Sequence, residues 1–456
     1  MSHLQSRCLV ATSLSLILLV GSATATIWHV PTDAPTIAAG LEMASSGDVV
    51  ELACGTYFEH DLVLKAGVVV RSEDGVADCA HICASYQGRV FLAEDLDQPA
   101  VLLGLTITCG VVPDGEDFGG GIYCQDASLN MAQCEVSNCR SDYAGGGLFA
   151  QRGTLIISST VFTDNIGLNG GGGAARLANI EGEFLDCRFE DNIGIDGAAI
   201  YMSFSNPSMT FCTFANNEGD FFGGAVFCVS DSEPIFNHCT MVGNSAHLGG
   251  GIMVAANSHP SIQDCIIAFN NVGSGIDVHD TGSTVSVICS DVHGNEDGGY
   301  TGHIEDQTGL NGNIDADPMF CDLESGDFSL TDISPCLGPN NECNVLMGAH
   351  VQGCVITSVT EAVPTAFRLE PNRPNPFNPS TTIVFELNAS MAIELDVYDL
   401  TGRRVSALLH GHREAGRHEV TWRGCDDLGR AQPSGTYVCR LRAGDRVATN
   451  TMVLVR

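Results

Sequence analysis

Basic residues are scarce in this chain, and unevenly spread. Twenty Lys and Arg stand against 55 Asp and Glu in 456 residues, for a formal net charge of −35, and none of the twenty lies between Arg188 and Arg368. That shortage excludes a surface built to hold nucleic acid, anionic lipid or polyuronates. Long apolar runs are missing too. Beyond the first 25 residues no stretch approaches the length of a spanning helix, and the apolar runs of three to five residues are too short for ordinary helices. No C-x-x-C pair occurs among the 20 cysteines, so a tetrahedral thiolate metal site has no support.

What is present is a repeat. Gly121, Gly147, Gly173, Ala199, Ala225 and Gly251 stand 26 residues apart and head the phrases GGGIYC, GGGLFA, GGGAAR, GAAIYM, GGAVFC and GGGIMV. A second phrase follows each of the later copies, with Cys187, Cys212, Cys239 and Cys265 in one slot and Asn192, Asn217, Asn244 and Asn270 in another. A fixed period marks a solenoid. Short Ile-, Val-, Phe- and Tyr-rich runs between Gly, Asn, Asp and Ser corners make it a coil of strands, with rungs ~4.8 Å apart and equal positions stacked in ladders. Asn suits a corner because it accepts a left-handed backbone and bonds to nearby main chain. The tiny triplets suit close approach of backbones.

Residues Met1 to Ala25 read as a secretory signal, with Arg7 ahead of an apolar stretch from Cys8 to Val20 and Ala23-Thr24-Ala25 as the cleavage pattern. After signal removal no transmembrane segment is expected. Ile37, Leu41 and Ala44 fall at helical spacing behind Thr36 or Asp33 as N-cap, which predicts a short helix plugging the open end of the coil. The passage IWHVPTDAPTIAAGLEMASSGDVVELACGTYFEHDLVL resembles the start of right-handed parallel β-helix proteins of the pectin-lyase-like superfamily, and the Asn and triple-Gly phrases resemble polymorphic outer-membrane protein repeats. The passage DADPMFCDLESGDFSLTDISPCLGPNNECNVLMGAH resembles the closing segment of such proteins, in which DPMF and FSLT are expected as irregular last rungs.

Charge changes near residue 360. Ile27 to Thr360 holds seven basic and 44 acidic residues, whereas the tail from Glu361 holds 12 and 11. The tail's alternating runs TTIVFEL, AIELDVYDL, RRVSALL, HEVTW, GTYVCRL and TNTMVLVR predict a small antiparallel sandwich. Pro374, Asn375, Pro376, Phe377, Asn378, Pro379, Tyr398, Gly402, Trp422, Gly435 and Tyr437 carry a resemblance to the type IX secretion C-terminal sorting domain and to the immunoglobulin-like module of flagellar hook-capping proteins. The expected fold is therefore all-β, a right-handed parallel β-helix solenoid followed by a small immunoglobulin-like β-sandwich. The expected domains are a signal at 1–25, the β-helix at 26–354 (cap and first coils to 103, regular coils 104–299, closing segment 300–354), a linker at 355–366 and the sorting domain at 367–456.

Enzymes on the resembling scaffold use an Arg or Lys base with Asp-bound calcium, or paired Asp with a nearby Arg. The coils after Arg188 have no such base. One early edge remains. Asp114, Glu116 and Asp117 in a long turn are expected beside Arg140, Asp142 and Tyr143 one rung later. Three readings stay open there: a solvated acidic turn, a calcium or sugar contact, or catalysis. Calcium is the only cofactor suggested, and no metal site is assigned. Cys109 and Cys139, five residues after Gly104 and Cys134, are expected on adjacent rungs as a disulfide. Cys187, Cys212, Cys239, Cys265 and Cys289 could pair or form a column of buried thiols. The function expected is that of an exported, surface-attached or secreted protein that binds, adheres or acts as scaffold. Its partners would be glycans or surface proteins, and secretion machinery through the tail. A polysaccharide-active hydrolase, lyase or esterase is the alternative.

Overall fold

The computed structural model describes residues 25–112, 118–355, 367–413, 415–444 and 446–455. The proposed signal lies almost wholly outside them. Two compact units meet between residues 356 and 357.

The larger unit is a coil of short parallel strands. Three strand columns run its length. The first contains Val49–Leu52, Leu129–Ala132 and Ser261–Gln263, the second Ile122–Gln125, Ile200–Ser203 and Val226–Val229, and the third Glu135–Ser137, Thr213–Ala215 and Asp291–His293. Every pairing between coils is in parallel register, as in Ile200↔Val226 and Phe189↔Phe214. Alternate side chains therefore fill the interior. Phe162, Phe189 and Phe214 stack inside the third column at 5.1 and 4.9 Å between ring centroids. The helix Ile37–Met43 covers the open end, capped by Thr36, whose hydroxyl accepts from the Ala39 N–H at 3.1 Å, with Ile37 and Leu41 buried.

Each corner has its own buried ladder. The amides of Asn165, Asn192, Asn217, Asn244, Asn270 and Asn295 point inward, and each carboxamide oxygen accepts from the backbone N–H and side-chain amide of the asparagine one coil earlier, Asn165 meeting the Cys139 N–H instead. A serine ladder, Ser205 to Ser283, does the same at a second corner. The third is Cys134, Thr160, Cys187, Cys212, Cys239, Cys265 and Ser290. Its thiols are unpaired and donate to carbonyls, as Cys239 does to Met209 O at 3.3 Å. Burial pushes the Cys187, Cys212 and Cys239 thiols well above the ordinary range. A bonded cysteine column is thus ruled out here, and Cys289 is not part of it.

Two details differ from the sequence reading. The ladder asparagines are not the left-handed residues. Those are their predecessors Asp164, Asp191 and Asn216, with φ of 54, 56 and 55°, whose side chains leave the corner. Nor is the 26-residue spacing strict, since Leu148 pairs with Ala175 and Ala175 with Ile200, coils of 27 and then 25 residues. The tiny triplets meet backbone, as expected. A Cβ on Gly146 would lie 2.4 Å from Ile166 O, and one on Gly173 2.4 Å from Ile193 O.

Of the closing segment, Tyr300–Gly302 adds a last strand to the second column on Ile276–Val278, but DPMF and FSLT do not add rungs. Phe320–Asp322, Asp327–Thr331 and Gln352–Cys354 form a separate three-stranded sheet. The reason lies in the third column, whose outward residues Ala215, Val242 and Ala268 are apolar and are covered by Phe328, Leu330 and Met347. Polar contacts fix this strap: His350 meets Thr213 at 2.8 Å, and the Gly348 N–H donates to Asp264 O at 2.7 Å. Disulfides Cys289–Cys343 and Cys321–Cys354 hold it, and Cys54–Cys79 staples the first coils.

Asp291 is fully buried beneath the strap, accepting from the Ala316 N–H at 3.1 Å and from the Cys336 thiol at 3.2 Å. Burial pushes its carboxyl up to about 7, opposed by those two hydrogen bonds and by His293, and reinforced by Asp315. The folded state then holds a proton that the unfolded chain releases near pH 4, so stability is lost as pH rises through about 7. Between pH 5 and 8 the protein should lose on the order of 2–4 kcal/mol more than Asp291→Asn does, read from urea unfolding at each pH. Parallel curves for the two proteins would remove Asp291 as the cause.

The smaller unit is an antiparallel sandwich. Arg368–Leu369, Thr381–Leu387 and Gly416–Trp422 face Arg404–Arg413, Met391–Asp399, Gly435–Ala443 and Arg446–Leu454, enclosing Phe385, Leu395, Trp422 and Leu441.

Candidate functional site

Outward positions of the second column form a ring-rich stripe in which Tyr123, Arg176 and Tyr201 are half-buried and Phe149, Phe227 and Met253 are buried under their neighbours. In register along successive coils stand Tyr123, Phe149, Arg176, Tyr201, Phe227 and Met253. Strand alternation aims them out because Ile122, Leu148, Ala175, Ile200 and Val226 point in. Five rung spacings give a stripe ~24 Å long. Corner residues extend it: Phe118 stacks on Phe149 at 4.5 Å and meets Tyr143 edge-on at 5.2 Å, and Phe222 meets Phe227 at 5.5 Å and His279 at 5.9 Å.

Two guanidiniums lie over rings in this stripe. Arg89 is 4.7 Å from the Tyr123 centroid and Arg176 is 3.9 Å from that of Tyr201. Arg176 is also held by Gly170 O, to which it donates. Beside it Asp196 has a buried carboxylate oxygen, Oδ1, without a hydrogen-bond partner. Burial raises the Asp196 carboxyl, a hydrogen bond from the Phe222 N–H and the nearby Arg176 lower it, and Asp220 raises it again. Burial raises the Tyr201 hydroxyl as well, with Arg176 opposing. Buried polar atoms are nearly always satisfied, and this oxygen is an exception that is closed off from the surface.

Of the residues singled out from sequence, Asp114, Glu116 and Asp117 lie outside the described residues. Arg140 and Asp142 pair with each other at 3.2 Å on the surface, and Tyr143 joins the stripe through Phe118. Cys109 and Cys139 are not bonded to each other. Thr108 pairs with Ser137, which sets Cys109 opposite Asn138 and Gly110 opposite Cys139. That one-residue slip turns Cys109 outward, with φ of 57°, while Cys139 fills the asparagine slot inside. The stripe itself escaped the sequence reading. Its signal was the middle letter of IYC, LFA, IYM and VFC, obscured at Arg176 by the 27-residue coil.

A second depression, of about 410 Å³, lies between the third column and the strap, lined by Arg188, Glu190, Asp191, Asn216, Phe269 and Glu324 among others. Arg188 is already committed to Glu190. Burial, Asp164 and Glu190 raise the Asp191 carboxyl.

In the tail, the motif residues build the sandwich. The Asn375 amide donates to Thr451 O at 3.0 Å and its oxygen accepts from the Val453 N–H at 2.8 Å, while Phe377 packs on Trp422 and Trp422 on Tyr437. Pro374 O accepts from the Thr381 hydroxyl, Tyr437 donates to Pro433 O, and Arg440 lies over Tyr398. Pro376, Asn378 and Pro379 complete the loop that carries Phe377, Gly402 turns with φ of 84°, and Gly435 opens a strand.

Residues 172–313 match the family described as the right handed beta helix region, and residues 375–446 match the FlgD Ig-like domain. The fold is a right-handed parallel β-helix with an immunoglobulin-like tail. No curated protein matches the chain. Among solved structures, partial similarity is found to PorZ, described as an essential bacterial surface component of the type-IX secretion system of Porphyromonas gingivalis. It is 18% identical, spans 22% of this chain and 13% of that one, and has a TM-score of 0.15. A likeness of that size bears on neither role nor arrangement. Among the described residues no helix is long and apolar enough to cross a membrane.

Proposed function

We propose that this is an exported binding and display protein, with the β-helix as the binding body and the immunoglobulin-like tail as a sorting or attachment module. Its divisions would be a signal at 1–25, the body at 26–354, a linker at 355–366 and the tail at 367–456. The observation that supports the binding role is the outward stripe, in which the half-buried rings of Tyr123 and Tyr201, the exposed Tyr143 and the Arg176 guanidinium over Tyr201 lie along the same side of the coil. Rings that offer an apolar face beside polar hydrogen-bonding groups suit saccharides, and the acidity of the body argues for an uncharged one. The test is retention of the full chain on neutral and acidic polysaccharides. Tyr201→Ala and Arg176→Ala should each weaken binding to a neutral chain about 5- to 30-fold, from the stacking and hydrogen bonds lost. Unchanged binding would move the site elsewhere. Release of new reducing ends would instead favour the enzyme, and Asp191→Asn in the strap cleft would then be the variant to assay.

The tail carries the other half of the reading. Its charge balance and its own core set it apart from the body, as expected for an independently folding module. A chain ending at residue 356 should accumulate, folded, in the periplasm of the native host. Normal appearance of that truncated chain at the surface or in the medium would reduce the tail to a structural module.

A further inference from the structure

We propose that Cys83 and Cys109 are a surface dithiol that closes reversibly to a disulfide by exchange with a small-molecule disulfide such as oxidised glutathione or cystine. The strand Ala80–Cys83 lies in register with Leu105–Thr108, setting Cys83 opposite Thr108 on the neighbouring coil. Past the strand ends the two segments stay bonded, the Ala84 N–H donating to Thr108 O at 3.1 Å and the Tyr86 N–H to Cys109 O at 2.9 Å. Ile82 and Ile107 point inward, so Cys83 leaves the surface by alternation, and Cys109 leaves it through its left-handed backbone. Both are half-buried free thiols, near enough that burial and Cys83 together raise the Cys109 thiol. Neighbouring coils fall inside the Cα separation that a disulfide tolerates. The molecule already bonds cysteines across neighbouring coils, since Cys54 and Cys79, directly opposite each other, form a disulfide with Cα atoms 4.4 Å apart.

The third thiol nearby is excluded. Cys139 is fully buried, donates to Ser137 O at 3.3 Å, and is pushed up to about 12 by burial. It is neither a nucleophile nor an accessible target. The step balances as two exchanges. One thiol, as thiolate, attacks the small disulfide and expels one small thiolate. The second then attacks the mixed disulfide and expels the other, so two electrons and two protons pass to the reagent. The closed form would tie the first coils together near the end of the solenoid, where terminal repeats are least supported.

The test equilibrates the full chain in glutathione buffers of graded poise, traps thiols by rapid alkylation, and maps unreduced peptides. A Cys83–Cys109 peptide should appear in oxidising buffer and vanish in reducing buffer. Cys83→Ser should abolish the linked peptide and leave Cys109 as a glutathione adduct in oxidising buffer, and Cys139→Ser should leave the linked peptide in place. In the parent protein, alkylation of both thiols when fully oxidised, a persistent glutathione adduct on either, or a Cys109–Cys139 peptide would each overturn the proposal.

Discussion

Ile200→Asp should destabilise the β-helix by roughly 5–8 kcal/mol at neutral pH, as much as many whole domains possess. Ile200 is fully buried between Ala175 and Val226 in the second column. Losing its side chain from a packed interior costs about 2–5 kcal/mol. The carboxyl that replaces it has no partner, so it must either stay charged in apolar surroundings or take up a proton against its ordinary range, at a few kcal/mol more. The loss should shrink as pH falls toward 4, where protonation costs nothing. Ser203→Asp in the same strand is the control, because Ser203 faces out and its change should stay near 1 kcal/mol or below. Urea unfolding followed by circular dichroism reads both. A larger loss at Ser203 than at Ile200 would mean that the strand has the opposite phase.

The features legible in the sequence are those set by strand alternation and by side chains that only one environment tolerates. Repeated Cys and Asn letters five residues apart mark two real ladders, and Ile200 faces inward as its phrase predicts. What could not be read depends on counting residues through corners. Cys109 and Cys139 look equivalent when Gly104 is set against Cys134, yet Gly104 is opposite Gln133, both left-handed. The same slip moves Cys289 out of the thiol column and onto Cys343, and gives its slot to Ser290. A left-handed residue at each corner lets the chain gain or lose one position without disturbing the strands on either side. The strap was hidden for another reason. Its sites on the third column are residues such as Val242 and Ala268, which in sequence are indistinguishable from inward ones.

Asn217→Ala should cost about 3–5 kcal/mol, an unusually large loss for a polar side chain of this size. Its carboxamide oxygen accepts from the Asn192 N–H at 3.1 Å and Nδ2 at 2.9 Å, and its own amide donates to Phe189 O and to Asn244 Oδ1, each at 2.9 Å. All of these groups are inside the coil, so no water replaces the lost partner, and each stranded group costs about 1–3 kcal/mol before relaxation. Asn217→Asp should fare no better. A carboxylate still accepts from Asn192, but it faces Phe189 O and the Asn244 oxygen without a proton to offer. The residue before it makes the contrast sharp. Asn216 is exposed with φ of 55°, a backbone that glycine adopts freely, so Asn216→Gly should lie within about 0.5 kcal/mol of the parent. Because each rung leans on its neighbours, the Asn217 loss should appear as early, partial unfolding of the middle coils, with hydrogen exchange accelerating first around Phe189 to Asn244. A harmless Asn217→Ala beside a damaging Asn216→Gly would place the wrong asparagine inside, and the whole corner register from Asn165 to Asn295 would then be off by one.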